Sequence, residues 1–594
     1  MTLEATLQNS TRTIFQQQFD CEIPAEAVTI NITKKEHEGD YTIVVFPLIK
    51  FSKKNPEQTA EILGAQLKET TGIVASFNVI KGFLNLSLSA SYWIRHLNEI
   101  SQNKTFGTFA ENKRKVVLEY CGPNTNKPLH IGHVRNMLLG FSMSEILKAS
   151  GNDVTKVNIY NDRGIAICQS MVAYNRYAKG ATPQSTGIKG DHFVGDWYVM
   201  FNQVVQEELK AIPNLPADKD EARKLTPIFK EAQEMLLKWE AGDEATISLW
   251  KQMNDWVYEG FHKTFEILGV DFQKDYFESK TYKLGKDIVE EGIEKKVYFK
   301  KPDGSVAVDL TEEKLDEKIL LRADGTSLYI TQDLATAQLR YDEFKMEQMI
   351  YVVANEQDYH FKVLKLALQK LGKTWADGIY HLSYGLVESP TGRFKSREGK
   401  TADADDLIAE VLRIAEEKTK ELGKIEGFTD EQAKELYRTI GLGALKYFIL
   451  RVNPYKKIIF NPEESIDFHG HTGPFIQYTH ARICAILRKA AVQENWSAVS
   501  IDSVPIADVE RELILQLSEY ENTVKAASDK FDPSEIANYA YALAKTYNKF
   551  YHDQPVLTAA TPEEKQLRVA LSAQTGRVIK QAMKLLGIDV PEKM

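Results

Sequence analysis

Residues Leu118 to Asn136 read LEYCGPNTNKPLHIGHVRN, and the fold turns on how this stretch is read. It opens inside KVVLEY (Lys115 to Tyr120), a short run rich in β-formers. Gly122, Pro123 and Pro128 then interrupt regular structure and predict a loop. From Ile131 the pattern becomes helical, with Val134, Leu138 and Phe141 on one face and a stop at Gly151. VTKVNIY follows as a second strand, leading into Asn161-Asp162-Arg163-Gly164 and another helix. Strand, helix, strand, helix predicts a βαβ unit of a parallel sheet. His130, Gly132 and His133 fall where the loop gives way to the helix. A helix start carries free N–H donors and positive potential, which suit phosphates. Gly132 lets a flat ring come close to the backbone. Two imidazoles there can donate hydrogen bonds to charge growing on a leaving group. A plain turn with two exposed histidines fits the same positions.

Working outward, the sheet pattern returns with MIYVV at Met349, a helix ending at Gly372, and HLSYGLV from His381. A loop, SPTGRFKSREGK, comes next. Between the two βα blocks lies a helical, charged insertion, roughly Phe201 to Phe265. This predicts a split doubly wound sheet, with ligands beyond the carboxyl ends of its strands. Upstream, YTIVVFPLI from Tyr41 and GFLNLSLS from Gly82 read as strands of a small α/β module. From Thr429 onward the chain reads as helices only. Thr429 with Gln432 and Thr561 with Glu564 fit capping boxes, and Pro562 fits a first helical position. The expected fold class is therefore multidomain α/β plus all-α. A small α/β module spans 1–108, a Rossmann-like domain with a helical insertion spans 109–428, and a helical bundle spans 429–594.

A chain of 594 residues exceeds one hydrophobic core. The four cysteines (Cys21, Cys121, Cys168, Cys484) are far apart, which argues against a disulfide framework and a CxxC zinc site. No apolar run is long enough for a bilayer, and the start lacks a signal-peptide pattern. A reducing cytoplasm is expected. The net charge of -9 counts mildly against RNA, yet an RNA partner needs only a local basic face.

Four further strings carry chemistry. In LLRADGTSLYITQDLATAQLRY (Leu320 to Tyr341), Tyr329 and Asp333 are four apart and share one helical face. A guanidinium wants a carboxylate fork and stacks on an aromatic ring; a capped helix with a buried tyrosine is the plainer reading. In YVVANEQDYHFKVL, Gln357 and His360 lie just past a strand, and His360 fits packing as well as binding. RFKSREGK sets Lys395, Ser396 and Arg397 on a loop, where cations can close over a triphosphate or merely face solvent. Tyr478, amid Arg482, Arg488 and Lys489, can stack an unpaired base or be ordinary core.

Taken together, these strings resemble the arginyl-tRNA synthetases. His130-Ile131-Gly132-His133 matches the first signature of class I aminoacyl-tRNA synthetases, and Glu119, Pro123, Asn124, Lys127 and Pro128 resemble the arginyl version around it. The second signature, normally Lys-Met-Ser-Lys-Ser, is degenerate here at Arg393 to Ser396. In this family Lys127 is the expected compensation. The resemblance implies ATP-dependent activation of L-arginine, with Mg2+ beside ATP and no zinc. Transfer to the terminal ribose of tRNA(Arg) follows. It assigns Lys127, His130, Gly132, His133, Lys395, Ser396 and Arg397 to ATP and catalysis. Glu119, Gly122, Asn124, Glu278, Tyr329, Asp333 and Gln357 are assigned to arginine. It implies an N-terminal module gripping the tRNA elbow through Phe83 and Asn85, and a C-terminal anticodon-binding domain using Tyr478. A monomer is expected. The rivals are another class I synthetase or adenylyl transferase, and a catalytically silent RNA-binding paralogue.

Overall fold

The computed structural model describes residues 3–34, 36–282, 284–388, 403–423, 427–491 and 504–594. The chain divides into two compact units. One comprises 1–106, 483–519 and 545–577; the other comprises 107–482, 520–544 and 578–594.

In the first unit, an antiparallel four-stranded sheet runs in the order Thr29–Ile32, Tyr41–Val44, Phe83–Leu88, Val74–Ile80. Helices Leu3–Phe19 and Pro56–Thr71 belong to the same module. The strand expected over Tyr41 to Ile49 is shorter than predicted. It ends at Val44, and Phe46–Leu48 and Ile49–Ser52 coil into helical turns. Pro47 has no N–H for a ladder and its φ suits a helical turn, so the β-rich composition is overridden there. Lys81 and Gly82 connect two strands with φ of 48° and 79°. Two successive left-handed residues make the tight turn whose twist matches a hairpin.

The second unit is built on a five-stranded, all-parallel sheet. Its strands are β1 (Lys115–Glu119), β2 (Asp153–Tyr160), β3 (Lys274–Phe277), β4 (Gln348–Ala354) and β5 (Ile379–Tyr384), in the order β5-β4-β1-β2-β3. The order reverses between β1 and β4, so a crevice opens there beyond the strand ends. Helix α1 (Ile131–Ala149) joins β1 to β2, and α3 (Asp358–Lys370) joins β4 to β5. The insertion between β2 and β3 is helical, as expected, with Gly190–Lys210, Pro227–Glu240 and Glu244–Leu268 its longest helices. Strand β3 was not anticipated. Neither was the antiparallel sheet of Tyr298–Lys300, Val306–Val308 and Lys318–Leu321 that precedes α2 (Tyr329–Phe344). Runs of three or four residues carry too little periodicity to be read.

The C-terminal segment is helical, with Asp430–Leu450, Gly473–Lys489, Ser534–Asp553 and Pro562–Leu585 its longest elements. One correction applies: Ile458–Ile459 is a two-residue strand, paired in parallel with Val387–Glu388. The capping box at Thr429 and Gln432 has both its bonds. At Thr561 the cap bonds Glu564 N, while the Glu564 carboxylate takes Ala560 N instead of the cap's own N–H.

Candidate active site

Helix α1 begins with a cap made of two imidazoles. His130 is the N-cap, and its Nδ1 accepts from Gly132 N at 3.1 Å. His133 returns the favour, its Nδ1 accepting from His130 N at 3.1 Å. Reciprocal bonding of this kind satisfies backbone donors the helix cannot use. The rings lie 3.9 Å apart. A Cβ on residue 132 would fall 2.9 Å from His130 Cε1, so the flat ring that Gly132 admits is that of His130. Burial, reinforced by the Lys127 charge, holds His130 down to about 4. His133 is held well below the ordinary imidazole range by burial, His130 and Lys127. Both rings are therefore neutral at neutral pH. With Nδ1 of each accepting a backbone N–H, the ring proton is assigned to Nε2, leaving two Nε2–H donors at a helix start.

The loop between β1 and α1 is held by asparagines. Cys121 N donates to Asn136 Oδ1 at 2.6 Å, Gly122 N donates to Asn158 Oδ1 at 3.1 Å, and Asn161 Nδ2 donates to Gly122 O at 3.1 Å. Gly122 has φ of 58° and open space beside it. Cys121 also adopts a left-handed φ, 81°, a strained conformation for a side chain with Cβ. The Asn136 amide also donates to Val352 O at 2.7 Å and so ties α1 to β4.

A cavity of about 590 Å³ opens over the carboxyl ends of β1, β2, β3 and β4. It gathers Glu119, Asn124, Glu278, Tyr329, Asp333 and Gln357, which are six of the seven positions expected to hold arginine; the seventh, Gly122, does not line it. Three carboxylates thus share one cavity. Glu119 is ion-paired with the fully buried Arg340, whose guanidinium also lies over the Tyr276 ring at 4.7 Å. Burial raises Glu119, and Arg340 pulls it back. Asp333 bonds His360 Nε2 at 2.6 Å. Glu278 is 8% exposed, and burial pushes it up to about 7 against the pull of Arg163. Its helical turn is fixed by Asp162, a buried residue accepting from Ser279 N at 2.8 Å and Ser279 Oγ at 2.7 Å. Tyr329, the first residue of α2, is 80% exposed while lining the cavity.

Arg340, Asp162, Asn126, Arg163 and Gln332 were not assigned from sequence. One signal existed: Tyr329, Asp333, Thr336 and Arg340 repeat at helical spacing, so all face the cavity. Lys395, Ser396 and Arg397 lie outside the described residues. In the N-terminal module Phe83 is 41% exposed, whereas Asn85 is buried. The Asn85 side chain accepts from Thr42 Oγ1 at 2.6 Å and donates to Asn78 Oδ1 at 2.9 Å. Tyr478 is half-buried, with the Arg482 guanidinium 4.8 Å from its ring. Asp191, His192 and Asp405 cluster closely enough for a cation, but Lys189 Nζ already sits 2.6 Å from Asp405 Oδ2 and 3.3 Å from Asp191 Oδ2.

The family described as tRNA synthetases class I (R), catalytic domain, matches residues 96–461. The chain belongs to the arginyl-tRNA synthetases. The arginyl tRNA synthetase N terminal domain matches 1–88, and the DALR anticodon binding domain matches 476–594. The arginine–tRNA ligase of Parabacteroides distasonis is 50% identical over 600 residues, covering all of both chains. That of Bacteroides thetaiotaomicron is 50% identical, covering all of this chain and 99% of its own. The fold is that of the Thermus thermophilus arginyl-tRNA synthetase, with TM-score 0.78 and 24% identity over both full chains. The Plasmodium falciparum enzyme matches with TM-score 0.75 and 19% identity over 100% of this chain and 99% of its own. The three matched regions fall on the N-terminal module, the parallel-sheet domain and the helical C-terminal segment of this chain.

Proposed function

We propose that this chain joins L-arginine to tRNA(Arg) in two steps. The arginine carboxylate attacks the α-phosphorus of ATP, giving arginyl-adenylate and releasing pyrophosphate. A terminal ribose hydroxyl of the RNA then attacks the adenylate carbonyl, loses its proton and releases AMP. The observation that carries this reading is the acidic cavity at the sheet's switch point, close in sequence and fold to a helix start with two neutral imidazoles.

Each part has a role by its chemistry. Glu278 and Asp333 receive the guanidinium, which pairs with carboxylates in fixed, forked geometry, and Tyr329 closes over it. Asn124 and Gln357 take the α-amino group. Glu119, already balanced by Arg340, shapes the floor, and Gly122 keeps the backbone open above it. His130 and His133 give their Nε2–H groups to oxygens gaining charge as pyrophosphate departs. Neutral rings suit this task, since they donate without first losing a counter-ion. Gly132 and the helix start face the nucleotide. Lys127 supplies the positive charge on the phosphates that the degenerate second signature lacks, with Lys395, Ser396 and Arg397 assisting. Magnesium accompanies ATP as part of the substrate. Phe83 meets the tRNA elbow, Asn85 fixes the hairpin beneath it, and Tyr478 serves the anticodon end. The enzyme acts as a monomer in the cytoplasm, where its four free cysteines stay reduced. Intact signature histidines and an intact acidic cavity favour catalysis over a silent RNA-binding role.

The test is amino-acid-dependent exchange of pyrophosphate into ATP, run with each standard amino acid, with and without tRNA. Exchange with arginine alone, appearing when RNA is present, is expected. Exchange with another amino acid overturns the cavity assignment, and none under any condition supports the silent paralogue.

A further inference from the structure

His360 has no task in the reaction as described, yet it makes a close polar contact inside the cavity. It is the third residue of α3, and its Nε2 lies 2.6 Å from Asp333 Oδ2 on α2. Both residues line the acidic cavity. The Phe361 ring meets the imidazole edge-on at 5.5 Å, which limits its rotation. Asp333 is 36% exposed at its side chain, and among the described residues His360 is its side-chain hydrogen-bond partner.

A half-exposed aspartate is free to turn about two torsions, and a forked partner needs its carboxylate plane fixed. One N–H on Oδ2 fixes that plane while leaving lone pairs on Oδ1, and one on Oδ2, for a ligand. The choice of residue matters. Arginine or lysine in place of His360 would hold a permanent positive charge against Asp333 and repel the incoming guanidinium. An imidazole can hold the carboxylate by a hydrogen bond alone. The contrast lies in the same cavity, where Glu119 is matched by the permanent cation of Arg340.

We propose that His360 is a positioning residue for amino-acid selection: its Nε2–H orients the Asp333 carboxylate to receive a guanidinium. The inference rests on Asp333 as the guanidinium partner. It predicts that His360 acts on arginine and not on ATP.

The test compares His360→Ala, His360→Gln and Asp333→Asn in tRNA-supported pyrophosphate exchange, with KM measured for arginine and for ATP, and Tm recorded for each. A lost hydrogen bond to a charged group predicts an arginine KM raised about 10-fold or more in His360→Ala. The ATP KM should stay within about 2-fold, and His360→Gln, which keeps an N–H near the Nε2 position, should recover most of the loss. An unchanged arginine KM in His360→Ala, with a raised one in Asp333→Asn, overturns the proposal and leaves the arginine cavity standing. Equal rises in both KM values with a lowered Tm, or a Gln variant no better than Ala, also overturn it, because packing alone would then explain the residue. An unchanged arginine KM in Asp333→Asn removes the cavity assignment and the proposal with it.

Discussion

The helix start at His130 and the cavity at Asp333 solve opposite problems. At the helix start, every bond that sets the imidazoles is made within four residues, by backbone N–H groups of the same turn. In the cavity, each carboxylate is set by a side chain far along the chain: Glu119 by Arg340, Asp333 by His360, and the turn carrying Glu278 by Asp162. The first region holds neutral donors for charge that develops during reaction. The second holds negative charge for a cation present from the outset. Local backbone bonding suffices for the one, whereas gathering three carboxylates in one cavity requires partners imported from several elements.

This contrast can be broken most forcefully at Arg340. Removing one partner of a buried ion pair costs about 3–5 kcal/mol, so Arg340→Ala should lower unfolding free energy by that order. Glu119→Gln in the same chain should recover much of it. Denaturant unfolding measures both, and additive losses would show that the pair is not coupled.

The same asymmetry predicts a pH effect. The Glu278 carboxyl, pushed up to about 7, is neutral below that pH and charged above it, while arginine remains a cation throughout. Arginine should therefore bind more weakly as pH falls through about 7, with KM rising up to ~10-fold per pH unit. Glu278→Gln should flatten that limb. His130 and His133 contribute nothing in this window, since burial holds His130 down to about 4 and His133 well below the ordinary imidazole range. A flat KM profile in the unaltered chain would separate Glu278 from arginine.

A smaller effect is expected at Lys127. Lys127→Ala should slow adenylate formation about 10-fold, the scale of one charge contact near the phosphates, and leave RNA affinity unchanged. Equal loss of RNA affinity would make it a backbone contact. Smallest is Gly82→Ala in the N-terminal module. A side chain at φ of 79° is strained, and its Cβ would meet Phe46 and Pro56 at 2.9 Å, so about 1–2 kcal/mol of stability should go, with weaker RNA binding. An unchanged melting profile would contradict the hairpin reading.

The two regions also differ in how they can be read from sequence. His130, Gly132 and His133 form a contiguous string, and their function needs no distant partner. Tyr329 and Asp333 were legible because four-residue spacing fixes one helical face. The partners of Arg340 and His360 were not, because an ion pair between residues 119 and 340, or a bond between 333 and 360, depends on which elements lie side by side. Most of the sheet was legible from β-rich runs of five residues or more: KVVLEY, VTKVNIY, MIYVV and HLSYGLV. Strand β3 has only four residues, and it escaped. Asn85 matched a motif, yet its buried bonds to Thr42 and Asn78 emerge only from the strand register.

The most direct test of the acidic cavity as the arginine site is the arginine KM of Asp333→Ala in tRNA-supported exchange. Loss of a carboxylate from a partly buried charge pair predicts a rise of about 100-fold or more, with the ATP KM held within about 2-fold. An arginine KM equal to that of the unaltered chain would contradict the account.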